Sequence, residues 1–388
     1  MFTHTIGVHE SFRNDHVNGF CLDDHAKEAL NRTTNGHVNG QSNGLNDEHD
    51  SEKSKVLAGD TVAHPELHSN LTKVDVNFEH FFLIGKPQRI PSQFTIELTE
   101  HTYLPKVDNP RRDWVSSVAV PAFLAYHAQN QVRAFATIGT GAGLDAIVAV
   151  DIFNPERIAV TDIHEAVVDA ARNNICKATA GIDVHLIAAT GDLLSPLAGQ
   201  NGTYDLIYEN LPNIPLAPDC TIDDGQTSAT YVPGRTEDIP FIATANLLAL
   251  HFLALRQAKP LLSPTGAVLS SIGGRVSTDI LLEMAAEAGY CASILTYTWK
   301  IQSEPGEVIG GYKKNQEDGL GPFYFYPVSV LEKTFGCMTP AEAGRKVNEI
   351  EATLREHRVD AATAYDLHTN GLVMGHTVVI VQSKPTVM

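Results

Sequence analysis

Three glycines, Gly139, Gly141 and Gly143, followed by the acid Asp162, are spaced to hold a nucleoside. Glycine leaves the backbone bare, so a ligand can lie against it where any Cβ would collide. The apolar run Phe135-Ala136-Thr137-Ile138 feeds the turn, and the helical pattern Leu144 to Val150 follows it. A helix N-terminus there offers free N–H donors. Asp162 ends the strand-like stretch Arg157 to Thr161, placed to accept from both ribose hydroxyls. The order of parts suits an adenosine ligand, although glycines in this pattern also serve nicotinamide and flavin nucleotides.

Further chemistry gathers at the ends of later strands. Asn210-Leu211-Pro212-Asn213 follows a fourth strand and Ser270 to Arg275 a fifth, at the carboxyl edge where open α/β sheets bind ligands. Arg275 could clamp a substrate carboxylate with two parallel N–H donors, or make a surface salt bridge. Tyr231 and Arg235 belong to the same edge by topology, Arg235 as a substrate contact. Tyr208, Glu209 and Tyr231 are candidate general bases by location. His164, His185, His251 and His376 lack paired ligand spacing, and no metal site is expected.

The elements that must position these groups alternate cleanly. A helix over Glu165 to Lys177 and strands at Val184 to Ala188 and Tyr204 to Tyr208 follow Asp162. A long helix from Phe241 to Lys259, a strand at Gly266 to Ile272, a helix from Asp279 to Ala288 and strands at Ser293 to Trp299 and His376 to Gln382 complete the pattern, with an extra helix at Pro340 to His357. The expectation is a doubly wound, mostly parallel, seven-stranded Rossmann-like α/β sheet. Residues 1–74, polar and carrying the near-repeats His16-Val17-Asn18-Gly19 and His37-Val38-Asn39-Gly40, read as a disordered low-complexity tail. Residues 75–130 read as an N-terminal cap or lid, and 131–388 as the nucleotide-binding catalytic domain.

Composition narrows the partners. Twenty-eight Lys and Arg stand against 46 Asp and Glu, a net charge of −18, which disfavours a phosphate-tracking surface and hence nucleic acid. Five scattered cysteines without a C-x-x-C pair read as reduced thiols. The most apolar window, Ala245 to Leu255, is too short to span a bilayer, so the expectation is a soluble cytoplasmic protein acting on a small molecule.

Taken together, the glycine turn, Asp162, Gly191-Asp192-Leu193 and Asn210-Leu211-Pro212-Asn213 resemble the class I S-adenosylmethionine-dependent methyltransferases, over roughly Tyr103 to Gln382. The resemblance implies S-adenosyl-L-methionine as cofactor, with Gly139, Gly141 and Gly143 at its amino-acid end, Asp162 on the ribose and Asp192 facing the adenine amino group. Asn210 to Asn213 is similar to the N-P-P-Y signature of methyltransferases that modify planar or amide nitrogens. By that likeness Asn210 and the Pro212 carbonyl orient the nucleophile, with Asn210 also beside the cofactor. Leu211 replaces the first proline and Asn213 the aromatic, which removes a stacking platform and offers a second amide to a polar substrate group. Trp299 to Pro305, Tyr312 and Phe323 to Tyr326 either wall the pocket, since sulfonium cations favour aromatic faces, or fill a hairpin core.

Thr137 stands two residues before the first glycine, where most of the family carries an acid that organises the methionine end. Either a neighbour compensates, or the α-amine is wanted free, as in an enzyme that cyclises the cofactor's aminobutyrate chain and expels methylthioadenosine. The implied activity is methyl transfer to a nitrogen or oxygen of a small polar metabolite. The cyclase, and a non-catalytic methyltransferase-like regulatory subunit, are the alternatives.

Overall fold

A computed structural model of the chain describes residues 71–216, 229–232 and 234–386. Most of the expected tail, with Cys21, lies outside them, as does Cys220. Cys176, Cys291 and Cys337 are free thiols. Order begins sooner than expected from composition, because β1 (Thr72–Asn77) pairs antiparallel with β2 (Gln93–Leu98) around the short helix α1 (Phe78–Phe82). A π-helical turn (Val115–Ala119) then runs into α2 (Val120–His127).

The repeating units follow as β3 (Ala134–Ile138), α3 (Leu144–Phe153), β4 (Arg157–Asp162), α4 (Glu165–Ala178), β5 (His185–Thr190) and β6 (Tyr204–Glu209). Two short strands, β7 (Ile214–Pro215) and β8 (Thr230–Tyr231), pair with each other beyond β6. The expected long helix is two, α5 (Phe241–Ala245) and α6 (Ala249–Ala258). Then come β9 (Leu262–Gly274), α7 (Thr278–Glu287), β10 (Tyr290–Ile301) and α8 (Pro305–Glu317). The chain closes with β11 (Tyr324–Pro327), α9 (Val328–Phe335), α10 (Pro340–Arg345), α11 (Val347–Leu354), β12 (Val359–Asp360), α12 (Ala361–Thr369) and β13 (Met374–Pro385). The helix expected over Pro340 to His357 thus breaks at Lys346.

The main sheet has nine strands rather than seven. Its backbone is β5-β4-β3-β6-β9-β13, with β10 on the other edge of β13. β11 continues the β9 edge of β13, pairing Tyr326 with Gly375, and carries β12. The strands from β5 to β9 are parallel, whereas β13 runs antiparallel to both β9 and β10. Strand order reverses between β3 and β6, which opens a crevice at their carboxyl ends.

Side-chain alternation along the strands builds two cores, one per face. Ile207, Val268, Val379 and Val381 join the helices α5 to α7 on one face. Their neighbours Leu206, Tyr208, Ala267, Leu269, Val378 and Ile380 join α2, α3 and the N-terminal segment on the other. Phe78, Phe81 and Phe82 of α1 are wholly buried in this second core. Residues 75–130 therefore share a core with the sheet instead of enclosing one of their own. Asn174 of α4 fastens them to the glycine turn, accepting from Glu97 N (2.8 Å) and donating to Glu97 O (2.9 Å) and Ala142 O (3.0 Å). The aromatic run resolves as core, since Phe323 and Phe325 are fully buried.

Candidate functional site

A cavity of about 750 Å³ lies over the carboxyl ends of β3, β4, β6 and β9. Gly139, Gly141, Asp162, Asp192, Asn210, Pro212, Asn213, Tyr231, Arg235 and Arg275 all line it. Thr137 and Gly143 do not.

Left-handed backbone is the reason for the glycines: φ is +66° at Gly139, +50° at Gly141 and +81° at Gly143, a region that costs other L-residues about 1–2 kcal/mol. Gly139 and Thr140 both donate to Thr161 O (2.9 and 3.1 Å), which ties the turn to the end of β4. Gly143 works from behind. A Cβ on it would meet the Ile175 side chain at 3.1 Å, so this glycine lets α3 and α4 approach.

Asp162 accepts from Gly141 N (3.3 Å) and His164 N (3.2 Å), which fixes its carboxylate at the lip of the turn. Burial raises its pKa, and those hydrogen bonds oppose the rise. The next residue, Ile163, is apolar, 40% exposed and on the cavity wall. His101 of the N-terminal segment stacks on His164 with ring centroids 4.3 Å apart, carrying that segment over the same end of the cavity.

Thr137 is buried, and its hydroxyl donates to the carboxylate of Asp145. Asp145 sits in the first turn of α3, accepts from Ala146 N (2.8 Å) and lines the cavity. An acid thus reaches the neighbourhood of Thr137 from eight residues downstream. Burial pushes its carboxyl up to about 6, against the hydrogen bonds from Thr137 and Ala146. The first-turn position at the helix N-terminus also favours the anion.

Asp192 is not free. Arg235 grips it with two bonds, Nη1 to Oδ2 at 2.7 Å and Nη2 to Oδ1 at 2.6 Å, and touches Glu237 at 3.3 Å. The arginine expected to meet substrate therefore orients the acid expected to meet adenine. Asn213 is partly committed as well, since one N–H of its Nδ2 donates to Leu247 O (2.9 Å). Asn210 and Pro212 stand on the cavity wall just beyond the end of β6.

The three base candidates fare poorly. Burial raises the phenols of Tyr208 and Tyr231, so both stay protonated donors. Glu209 is fully buried away from the cavity and shares its two oxygens with His251 Nδ1, each at 2.9 Å. Lys300 to Glu304, from the stretch expected as a possible pocket wall, do line the cavity, and Trp114 and His376, given no site role by the sequence, line it with Arg275. A signal for Asp145 was present, an acid in the first turn after the glycines. None marked His376, whose strand meets β9 and β10 only in the folded sheet.

No family model matches this chain, and no curated protein matches it. Solved structures similar in fold include the YcgJ protein from Bacillus subtilis, with 12% identity, covering 69% of this chain and 98% of that one at a TM-score of 0.37. A precorrin-6y methyltransferase from Geobacter metallireducens has 10% identity, 70% and 89% coverage and a TM-score of 0.33. A geranyl diphosphate methyltransferase solved in complex with GPP and sinefungin has 12% identity, 68% and 78% coverage and a TM-score of 0.34. At this similarity the functional reading rests on the site's own geometry. Among the described residues no group of His, Cys, Asp and Glu could hold a metal ion, and no helix is long and apolar enough to cross a membrane.

Proposed function

We propose that the chain is an S-adenosylmethionine-dependent methyltransferase acting on a nitrogen or oxygen of a small polar metabolite. The observation that carries this reading is the meeting, in one cavity, of the left-handed glycine turn, Asp162 and Asp145 with Asn210 and Pro212.

The residues fit such a cofactor. A Cβ at Gly139 or Gly141 would find its nearest neighbours only at 3.8 and 3.9 Å, so the turn faces open space. Asp162 can accept from ribose hydroxyls, exposed Ile163 offers an apolar surface to adenine, and Asp192 is held ready by Arg235. Asp145 supplies the acid for an α-ammonium group. When bound, S-adenosylmethionine supplies an electrophilic methyl group on a sulfonium. The Asn210 amide and the Pro212 carbonyl then orient the acceptor, since alignment of the reacting atoms carries much of the rate in a displacement.

Asp145 favours methyl transfer over cyclisation. A carboxylate near the α-amine stabilises its protonated form, which has no lone pair for attack. Incubation of the full chain with S-adenosylmethionine and a metabolite extract, followed by mass spectrometry, should give S-adenosylhomocysteine. Methylthioadenosine formed without any acceptor would instead make the chain a cyclase. In the same assay Asn210→Ala should lower turnover about 100-fold, on the order of 2.7 kcal/mol, with cofactor affinity retained.

A further inference from the structure

Among the residues that line the cavity with Asn210, two buried groups lack the partners their chemistry demands. Arg275, at the end of β9, is 7% exposed. Its guanidinium lies over the rings of Tyr312 (4.8 Å) and Phe325 (5.6 Å), and Nη2 donates to Gln302 Oε1 at 2.7 Å. Its Nε has no partner, and among the described residues no carboxylate forms an ion pair with it. A buried guanidinium without a counter-ion costs several kcal/mol, roughly, unless a ligand supplies one.

His376 on β13 is 3% exposed, and neither ring nitrogen has a hydrogen-bond partner. A buried polar atom left without a partner is destabilising, so such a site favours a ligand that supplies one. The two residues are neighbours: a Cβ on Gly273 would collide with Arg275 Nη1 and meet His376 Cδ2 at 3.5 Å. Lys300 lies directly across from His376 in the β10–β13 register. Its Nζ is already bonded to Arg112 O (2.9 Å), Asp113 O (3.2 Å) and Ser117 Oγ (2.8 Å), so it has no donor to spare for a ligand. The Trp114 ring closes this corner, edge-on to His376 at 6.2 Å.

We infer that the acceptor is a hydroxycarboxylic acid, whose carboxylate sits on Arg275 and whose hydroxyl donates to His376, the group that takes its proton. This rests on the methyltransferase reading and narrows it to oxygen. Tyr208, Tyr231 and Glu209 are unfit for the role, as described above, whereas His376 lines the cavity with both ring nitrogens unpartnered. Burial first, then the charges of Arg275 and Lys300, hold its pKa well below the usual histidine range. The other groups around this corner are Asp113 and Arg112 behind Lys300 and Tyr312 against Arg275. A carboxylate on Arg275 offsets part of that positive field and raises the ring's proton affinity when substrate is in place. In the transfer an oxygen lone pair makes the new O–C bond, and the C–S bonding pair stays on sulfur. The O–H pair stays on oxygen while the proton passes to a ring nitrogen, from which it leaves to water.

The test is calorimetric binding to the full chain saturated with S-adenosylhomocysteine, using small aliphatic and aromatic hydroxy acids, each paired with its methyl ester and its deoxy analogue. At least one acid should bind tenfold or more tightly than its ester. Arg275→Gln should erase that difference, Arg275→Lys should keep part of it, and His376→Leu should erase the preference for hydroxy over deoxy acid. Acids binding no better than their esters would overturn the inference from the unmutated chain alone, and so would Arg275→Gln retaining the preference. Failure of S-adenosylhomocysteine itself to bind would instead sink the methyltransferase reading.

Discussion

At the scale of residues, the carboxyl of Asp145 is the group whose behaviour is easiest to separate from its surroundings. Held at about 6 by burial, it becomes an anion only above that pH. Affinity for S-adenosylmethionine should therefore weaken as pH falls below 6, approaching tenfold per unit, and titration calorimetry between pH 5 and 7.5 would reveal it. Asp145→Asn should cost about 10- to 100-fold in affinity at pH 7.5 and flatten that profile. Its effect on stability has the opposite sign. The folded chain keeps this proton to about 6 and an unfolded one only to 3.8, so stability is lost as pH rises through that window. The asparagine variant, free of that loss, should be the more stable protein at pH 7.5 in urea unfolding. A purely structural Asp145 would show neither the affinity loss nor its pH dependence.

At the scale of elements, the glycine turn and the divided helix show how far local pattern reaches. Gly143 is set by a left-handed φ and by the closeness of Ile175, so Gly143→Ala should destabilise the chain by about 2 kcal/mol, as read from denaturation midpoints. The break between α5 and α6 carries no such mark. Apolar residues recur at helical spacing from Phe241 to Ala258 without glycine or proline, yet α5 ends in a Schellman turn, with Leu248 N donating to Ala243 O (2.8 Å). Leu247 takes the left-handed position, φ +56°, where glycine is usual. Asn213 bonds the Leu247 carbonyl from the loop after β6, a contact between residues far apart in the chain. Periodicity cannot report it.

At the scale of the whole molecule, Lys300 joins β10 to the segment around the π-helical turn, and its ammonium protons are matched by three acceptors. Burial nevertheless pushes its pKa down to about 7 from 10.5. The folded chain thus gives up this proton far earlier than an unfolded one, so stability from this group is greatest above 10.5 and is lost as pH falls toward 7. Urea unfolding at pH 7 and pH 9.5 should show the stability of the unmutated chain, relative to Lys300→Met, rising with pH by a few kcal/mol. A constant difference would mean that Lys300 keeps its charge throughout.

What could be read from the chain alone were the features that backbone conformation or short spacing enforces: the glycine turn, the acid ending β4, the alternation of helices and strands, and the Asn210-Leu211-Pro212-Asn213 loop. Each is written in consecutive residues, because a positive φ or a period of two or 3.6 is a local demand. Tertiary structure decided the rest. Thr137 lacks its acid in sequence, but α3 turns Asp145 back onto it. Asp192 and Arg235 become one ion pair, two added strands widen the sheet, and Arg275, Lys300 and His376 converge from three strands because β13 enters antiparallel between β9 and β10. Those pairings join residues up to about a hundred positions apart, and their stabilisation comes from burial and cross-strand contact that exist only once the sheet has closed around them.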